Sequence, residues 1–325
     1  MLSLRFLGLA LLSTSPLALA TDLDITVQSN GVSSVAVAPG ALVPYTVTIE
    51  LGDALTAGLG GFAFDLVFDG GDLGAAVAPA TGPTLAFRSP VGISNPAGFG
   101  GTLIDGKLVQ VGGAQNTIQN FFAPVPSGAV TFGVAQPGSA VLVLTGTVQA
   151  PTEGGSFTLS VENALANGIV AGQSGFPFYS VDALDVTTTG LVIDIASTLA
   201  RDVAQVPLSS GGTQALALDA GAINAGRIYL VLGSMSGTLP GITANGITLP
   251  LNADPYLNYT LVAPNVGPLF TSFGMLDGQG QAASAFTLPA GVSPLLAGMT
   301  LHHAYVLVTP TLDFASNSVS VTLIP

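Results

Sequence analysis

Val43-Pro44-Tyr45-Thr46-Val47-Thr48-Ile49-Glu50-Leu51 alternates without a break. Val43, Tyr45, Val47, Ile49 and Leu51 fall on one side, and Pro44, Thr46, Thr48 and Glu50 on the other. A period of two is the signature of a strand with one buried face. Pro44 has no N–H to donate, which places it at the start or the edge of a sheet. Phe62, Phe64, Leu66 and Phe68 repeat the pattern, opposed by Ala63, Asp65, Val67 and Asp69. The same signal predicts strands over 23–28, 107–112, 129–135, 140–149 and 156–163, and a long one over 181–195 broken near Gly190. In the second half it predicts strands over 214–218, 227–233, 257–262, 269–275, 282–288, 300–309 and 318–324. Turn dipeptides such as Pro137-Gly138, Pro240-Gly241 and Asn245-Gly246 separate the runs. One short helix fits near Pro289 to Leu296; no other segment has convincing helix start and stop signals. The expected fold is all-β, two β-sandwich domains with the first jelly-roll-like.

Composition narrows the function classes. The chain has 325 residues, 49% hydrophobic and only 7% charged, against about 25% charged in a typical soluble domain. Disorder requires the opposite balance, and coiled coils need the Glu, Lys and Arg that are scarce here. Without Cys there is neither a disulfide framework nor a thiolate metal site. Five basic residues against 18 acidic ones give a net charge of −13. That balance argues against nucleic-acid partners and anionic membranes. It suits neutral partners met by hydrogen bonding and shape.

Met1 to Ala20 reads as a secretory signal peptide: Arg5, an apolar Phe6 to Leu12, and Ala18-Leu19-Ala20 as the cleavage site. No later run is long enough to span a bilayer. The expected product is secreted and extracellular. Single cores stop growing near about 250–300 residues, which favours two domains. The weakest strand signal lies at 196–212. The expected division is a signal peptide 1–20, a first domain 21–196 and a smaller sandwich 197–325.

The run Gly58 to Leu73, containing Phe62-Ala63-Phe64-Asp65-Leu66-Val67-Phe68-Asp69, resembles the cohesin pattern. Val37-Ala38-Pro39-Gly40-Ala41-Leu42-Val43 before it resembles that family's opening, and Gly146-Thr147-Val148 and Val192 to Ile195 follow in order. The resemblance covers about half the chain. It implies a jelly-roll-like sandwich akin to cellulose-binding modules, and a docking module whose partner is a dockerin. The second half, with Gly233-Ser234-Met235-Ser236-Gly237 and Leu249-Pro250-Leu251-Asn252, resembles regions of secreted bacterial proteins without an assigned role.

No catalytic constellation emerges, and the chain is not expected to be an enzyme. His302 and His303 are the only histidines. As strand neighbours they point to opposite faces and cannot chelate one metal together; one is expected in the interior and one at the surface. Gly172-Gln173-Ser174-Gly175-Phe176 and Gly233 to Gly237 do not fit a nucleophile elbow and read as turns. Asp65, Asp69 and Asp72, or Asp182 and Asp185, are loose groupings without a calcium-loop motif. No cofactor and no metal site is expected, structural calcium being possible but unsupported by a recognisable loop. The candidate binding residues are aromatics in loops: Phe176, Phe178 and Tyr179, with Phe121 and Phe122. Two functions follow. One is a secreted, non-catalytic module docking an extracellular protein partner. The other is a carbohydrate-binding module that recognises a neutral polysaccharide through those aromatics. A sheet face with a row of exposed aromatics favours glycans; an aliphatic, Thr/Ser-rich face favours protein.

Overall fold

The computed structural model describes residues 23–52, 56–77, 101–114, 140–170, 181–308 and 310–325. The chain is all-β, built as two sandwiches. In the first, a four-stranded sheet runs in the order Val186–Thr189, Leu23–Gln28, Leu42–Leu51, Val141–Gln149. It faces a second sheet ordered Ser34–Val37, Leu191–Ile195, Gly155–Val170, Thr56–Phe68, Lys107–Ala114, Thr102–Ile104, with Val181–Leu184 also paired to Gly155–Val170. Leu23–Gln28 and Ser34–Val37 pair in parallel with Val186–Thr189 and Leu191–Ile195. Both ends of the unit thus cross from one sheet to the other, and each crossing is stitched to its counterpart.

The alternation at 43–51 does what its period requires. Val43, Tyr45, Val47, Ile49 and Leu51 are buried, and meet Phe62, Phe64, Leu66 and Phe68 from the opposite sheet in one core. Burying each such side chain contributes about 1.5–3 kcal/mol, so the strand cannot slip by one residue without exposing its whole apolar set. The expected strand 181–195 is broken at Gly190 and again at Asp185. The expected strand 129–135 lies outside the described residues, as does the expected signal peptide.

The second unit stacks the sheet Leu199–Arg201, Gly212–Asp219, Gln281–Leu288, Leu269–Phe270 on the sheet Gln205–Pro207, Val319–Ile324, Thr300–Leu307, Ile228–Ser234, Phe273–Met275. Tyr229, Val231, Leu301, Tyr305, Leu307 and Phe286 lie in the core between them. The outer face of the second sheet is also covered. There Leu230, Leu232, Ala304 and Val306 pack under Leu249, Leu251 and Leu257, from the hairpin Ile242–Ala244/Ile247–Leu249 and a helix.

That helix is a correction. Residues 257–262, expected as a strand, form the α-helix Pro255–Val262. Leu257, Tyr259 and Leu261 alternate, and Tyr, Thr and Val favour strands, so the local pattern reads as period two. The overriding signal is Asp254-Pro255. Asp254 is the N-cap, accepting from the Leu257 N–H, and Pro255 takes the first turn, where no N–H is needed. The expected strand 269–275 is split into Leu269–Phe270 and Phe273–Met275, one in each sheet. The helix expected near 289–296 is a single 3-10 turn, Pro294–Leu296.

The two units meet through a polar seam. The Ser318 N–H donates to the Thr152 carbonyl at 2.7 Å, and the Ser318 hydroxyl to Thr152 Oγ1 at 3.0 Å. Buried Asn317 holds the connecting chain: its Oδ1 accepts from the N–H groups of Thr198 and Leu199, each at 2.8 Å, and its Nδ2 donates to the Leu199 carbonyl at 2.9 Å.

Candidate functional site

The outer face of the larger sheet in the first unit carries a tightly constrained surface. Its centre is Asp65, which the alternation of Thr56–Phe68 turns away from the core. One Asp65 carboxylate oxygen accepts from the Gln110 N–H at 2.9 Å, the other from the Asn163 side-chain amide at 2.7 Å. Gln110 and Asn163 are both left-handed, at φ 56 and φ 52. Asparagine tolerates that region; glutamine does so at a cost of order 1–3 kcal/mol. The ladder shifts register on both sides, between Phe64 and Leu66 against Lys107–Ala114 and between Ala63 and Asp65 against Gly155–Val170. Paired bulges of this kind re-aim side chains, and they gather at binding surfaces. Gly112 makes the arrangement possible: it sits at φ 134, and a Cβ there would be 2.2 Å from the Phe62 carbonyl oxygen.

Around Asp65 the face mixes short side chains with Glu162 and the exposed Lys107. Val67 lies opposite Ser160, Ala63 opposite Leu165, and Asp65 opposite Glu162. Thr158, Val192 and Ser34 continue it toward the far edge. Leu165 is 71% exposed. Among the described residues no aromatic side chain stands on this face. The outer face of the four-stranded sheet is similar in character: Thr189, Thr26 and Thr48 lie in one register row, ending at Leu142.

Of the sequence candidates, Phe176, Phe178, Tyr179, Phe121 and Phe122 all lie outside the described residues. The histidines divide as the strand period requires. His303 is fully buried, with Nε2 3.0 Å from the Tyr256 hydroxyl; His302 is half-buried on the opposite face. Burial pushes the His303 imidazole down to about 3, with adjacent His302 adding to the effect. Burial also pushes the Tyr256 phenol up, and the Asp254 charge adds to that. Among the described residues no group of three or more His, Asp or Glu side chains could hold a metal ion, and no helix is long and apolar enough to cross a membrane.

The Gly233 to Gly237 turn has a definite job that sequence reasoning missed. It wraps the Asp254 carboxylate, whose Oδ2 accepts from the Ser234 hydroxyl and Met235 N–H at 2.7 Å, the Ser236 hydroxyl at 2.8 Å and the Ser236 N–H at 2.9 Å. Burial alone would raise this carboxyl, but the donors from Leu257, Ser234, Ser236 and Met235 hold it well below the usual carboxylate range. So stabilised, the carboxylate is a poor base; the cradle anchors the helix start.

Exposed apolar side chains also occur on the other unit, where Val262, Phe270, Phe273 and Met275 are 69%, 45%, 43% and 66% exposed. Phe273–Met275 is the last strand of its sheet, yet its edge is partly closed. The Asn265 amide accepts from the Phe273 N–H at 2.9 Å and donates to its carbonyl at 3.0 Å, standing in for a neighbouring strand.

No protein-family profile and no curated protein sequence matches the chain. Solved structures do resemble it. The seventh type I cohesin of ScaB from Pseudobacteroides cellulosolvens matches at 13% identity and a TM-score of 0.35, covering 54% of this chain and 93% of its own. The third cohesin of ScaC from Acetivibrio cellulolyticus, solved with a dockerin, matches at 11% and 0.30, over 54% and 99%. The major pilin subunit BcpA of Bacillus cereus matches at 8% and 0.30, over 92% and 62%. The cohesin matches each cover about half of this chain, and the likeness is one of fold alone.

Proposed function

We propose that this chain is a secreted, non-catalytic docking module that binds an extracellular protein partner on the outer face of the larger sheet of its first unit. The observation that carries the reading is the Asp65 clamp: a carboxylate fixed by two left-handed residues and two bulges, on an aliphatic and Ser/Thr-bearing face. A surface held this rigidly loses little freedom on binding, which favours a protein partner recognised by shape. The Met1 to Ala20 pattern supports export. We read the chain as two domains dividing near Ser197, in keeping with the separate cores of residues 23–195 and 199–323.

The test is capture from the secreted fraction of the producing organism, run beside a glycan array. Wild-type protein is expected to enrich one protein, and Ala63→Arg, which plants a long cation beside Asp65, to lose it at least tenfold while melting normally. Equal capture by the variant, or a glycan signal with no protein captured, overturns the docking reading. Turnover of a generic ester, peptide or glycoside substrate overturns the non-catalytic one.

A further inference from the structure

His302 stands in the middle of a polar row that crosses the second unit and ends on the first. It lies in register with Ser234 on one side and Ser320 on the other, so the three side chains share the outer face of that sheet. Each serine hydroxyl donates to a carboxylate: Ser234 to Asp254 at 2.7 Å, Ser320 to Glu153 at 2.9 Å. Glu153 belongs to the first unit and runs beside Ser318 as a parallel bridge. The row therefore joins the helix cap to the seam between the sandwiches. His302 Nδ1 is buried and has no hydrogen-bond partner among the described residues.

The charged and titratable groups about the ring are Glu153 from the first unit, Arg201 from the strand Leu199–Arg201, Asp254 one serine away, and His303 on its own strand. Glu153 and Arg201 oppose each other, one favouring a charged imidazole and the other disfavouring it. Glu153 is already engaged, 3.6 Å from Arg201 and accepting from Ser320, while Arg201 also donates to Ser320. What remains is burial. A neutral ring can leave one buried nitrogen unpaired at modest cost, but an imidazolium there carries an N–H that must reach an acceptor or water.

We propose that His302 is a proton-sensitive latch on the joint between the two sandwiches: neutral, it lets Thr152–Gly154 close against Ser318–Ser320, and protonated, it opens that seam and frees the two units to reorient. Such a latch would act whichever partner docks on the first unit.

The chain has no cysteine, so one introduced pair reports the inter-unit distance cleanly. In the full chain carrying Thr187→Cys and Ser210→Cys, spin-label distances are compared between about pH 7.5 and about pH 5, a window that spans histidine titration and spares most carboxylates. The distribution is expected to broaden at the lower pH with His302 present and to stay unchanged with His302→Gln. Broadening that persists in the variant, or no broadening in the parent, overturns the latch. Should the variant fold poorly, NMR of the unsubstituted chain decides. The Glu153 and Ser320 amides are expected to shift with the midpoint of the His302 ring; a ring that titrates while those amides stay still overturns it too.

Discussion

His303 is the residue where burial most directly becomes a property of the protein. Its ring packs 5.2 Å from Phe286 and meets the Tyr256 hydroxyl through Nε2. With its imidazole pushed from 6.5 down to about 3, the folded state holds it neutral. A base whose folded value is depressed contributes stability that is fully present above the unfolded value and is lost as pH falls toward the folded one. Stability is therefore expected to drop by about 1.4 kcal/mol per pH unit below about pH 6. Denaturation midpoints between pH 5 and 7 check this in a His302→Gln background, which removes the other histidine. Adding His303→Gln should flatten the slope; an unchanged slope would mean other groups carry it. Residue reasoning on the strand alone placed the two histidines on opposite faces, but not which face was interior. That depended on Phe286 and Tyr256, which reach His303 from elsewhere in the chain.

At the scale of elements, the helix Pro255–Val262 shows how a local pattern is overruled. Its cap is fed by the turn after Ile228–Ser234, and its Thr260 hydroxyl accepts from the Gly233 N–H at 3.1 Å, a strand edge that Phe273–Met275 is too short to cover. Tyr256 then passes over Gly233 toward His303. A Cβ at Gly233 would lie 2.2 Å from the Tyr256 ring. Gly233→Ala is thus expected to push the ring aside and leave the buried His303 Nε2 unpaired, at a cost of about 1–3 kcal/mol. Equilibrium urea denaturation measures it; wild-type stability with an unmoved Tyr256 fluorescence would contradict the account. Strand identity was legible from period-two alternation in the longer runs such as 43–51 and 62–68, but not in the short strands Ser34–Val37, Leu199–Arg201 and Gln205–Pro207, which place only one or two side chains against a core. It failed at 257–262, where Leu257 and Thr260 face the core with helical spacing while Leu257, Tyr259 and Leu261 mimic a strand.

For the whole molecule, the seam decides whether two sandwiches behave as one body. Asn317 satisfies three backbone groups of the connecting chain with one amide, and Thr152 with Ser318 adds a buried hydroxyl pair. Asn317→Ala leaves those groups unpaired at about 1–3 kcal/mol each, and calorimetry is expected to resolve two transitions in place of one. A single transition at the wild-type temperature would show that the cores hold the units together without the amide. The Asp65 site belongs to this scale as well. Its partners lie 45 and 98 residues away in the chain, and neither Gln110 nor Asn163 carries a local signal that would single it out.

What the amino-acid order determined by itself is which side of each strand is greasy, because neighbouring side chains on extended backbone point opposite ways and need no partner to do so. It also determined a surface poor in charge and free of thiol chemistry. Only the folded chain decided which strands lie side by side, where the ladders slip by a residue, and hence which carboxylate is clamped and which histidine is sealed. Those outcomes depend on contacts between segments far apart in sequence, and no stretch of residues carries that information alone.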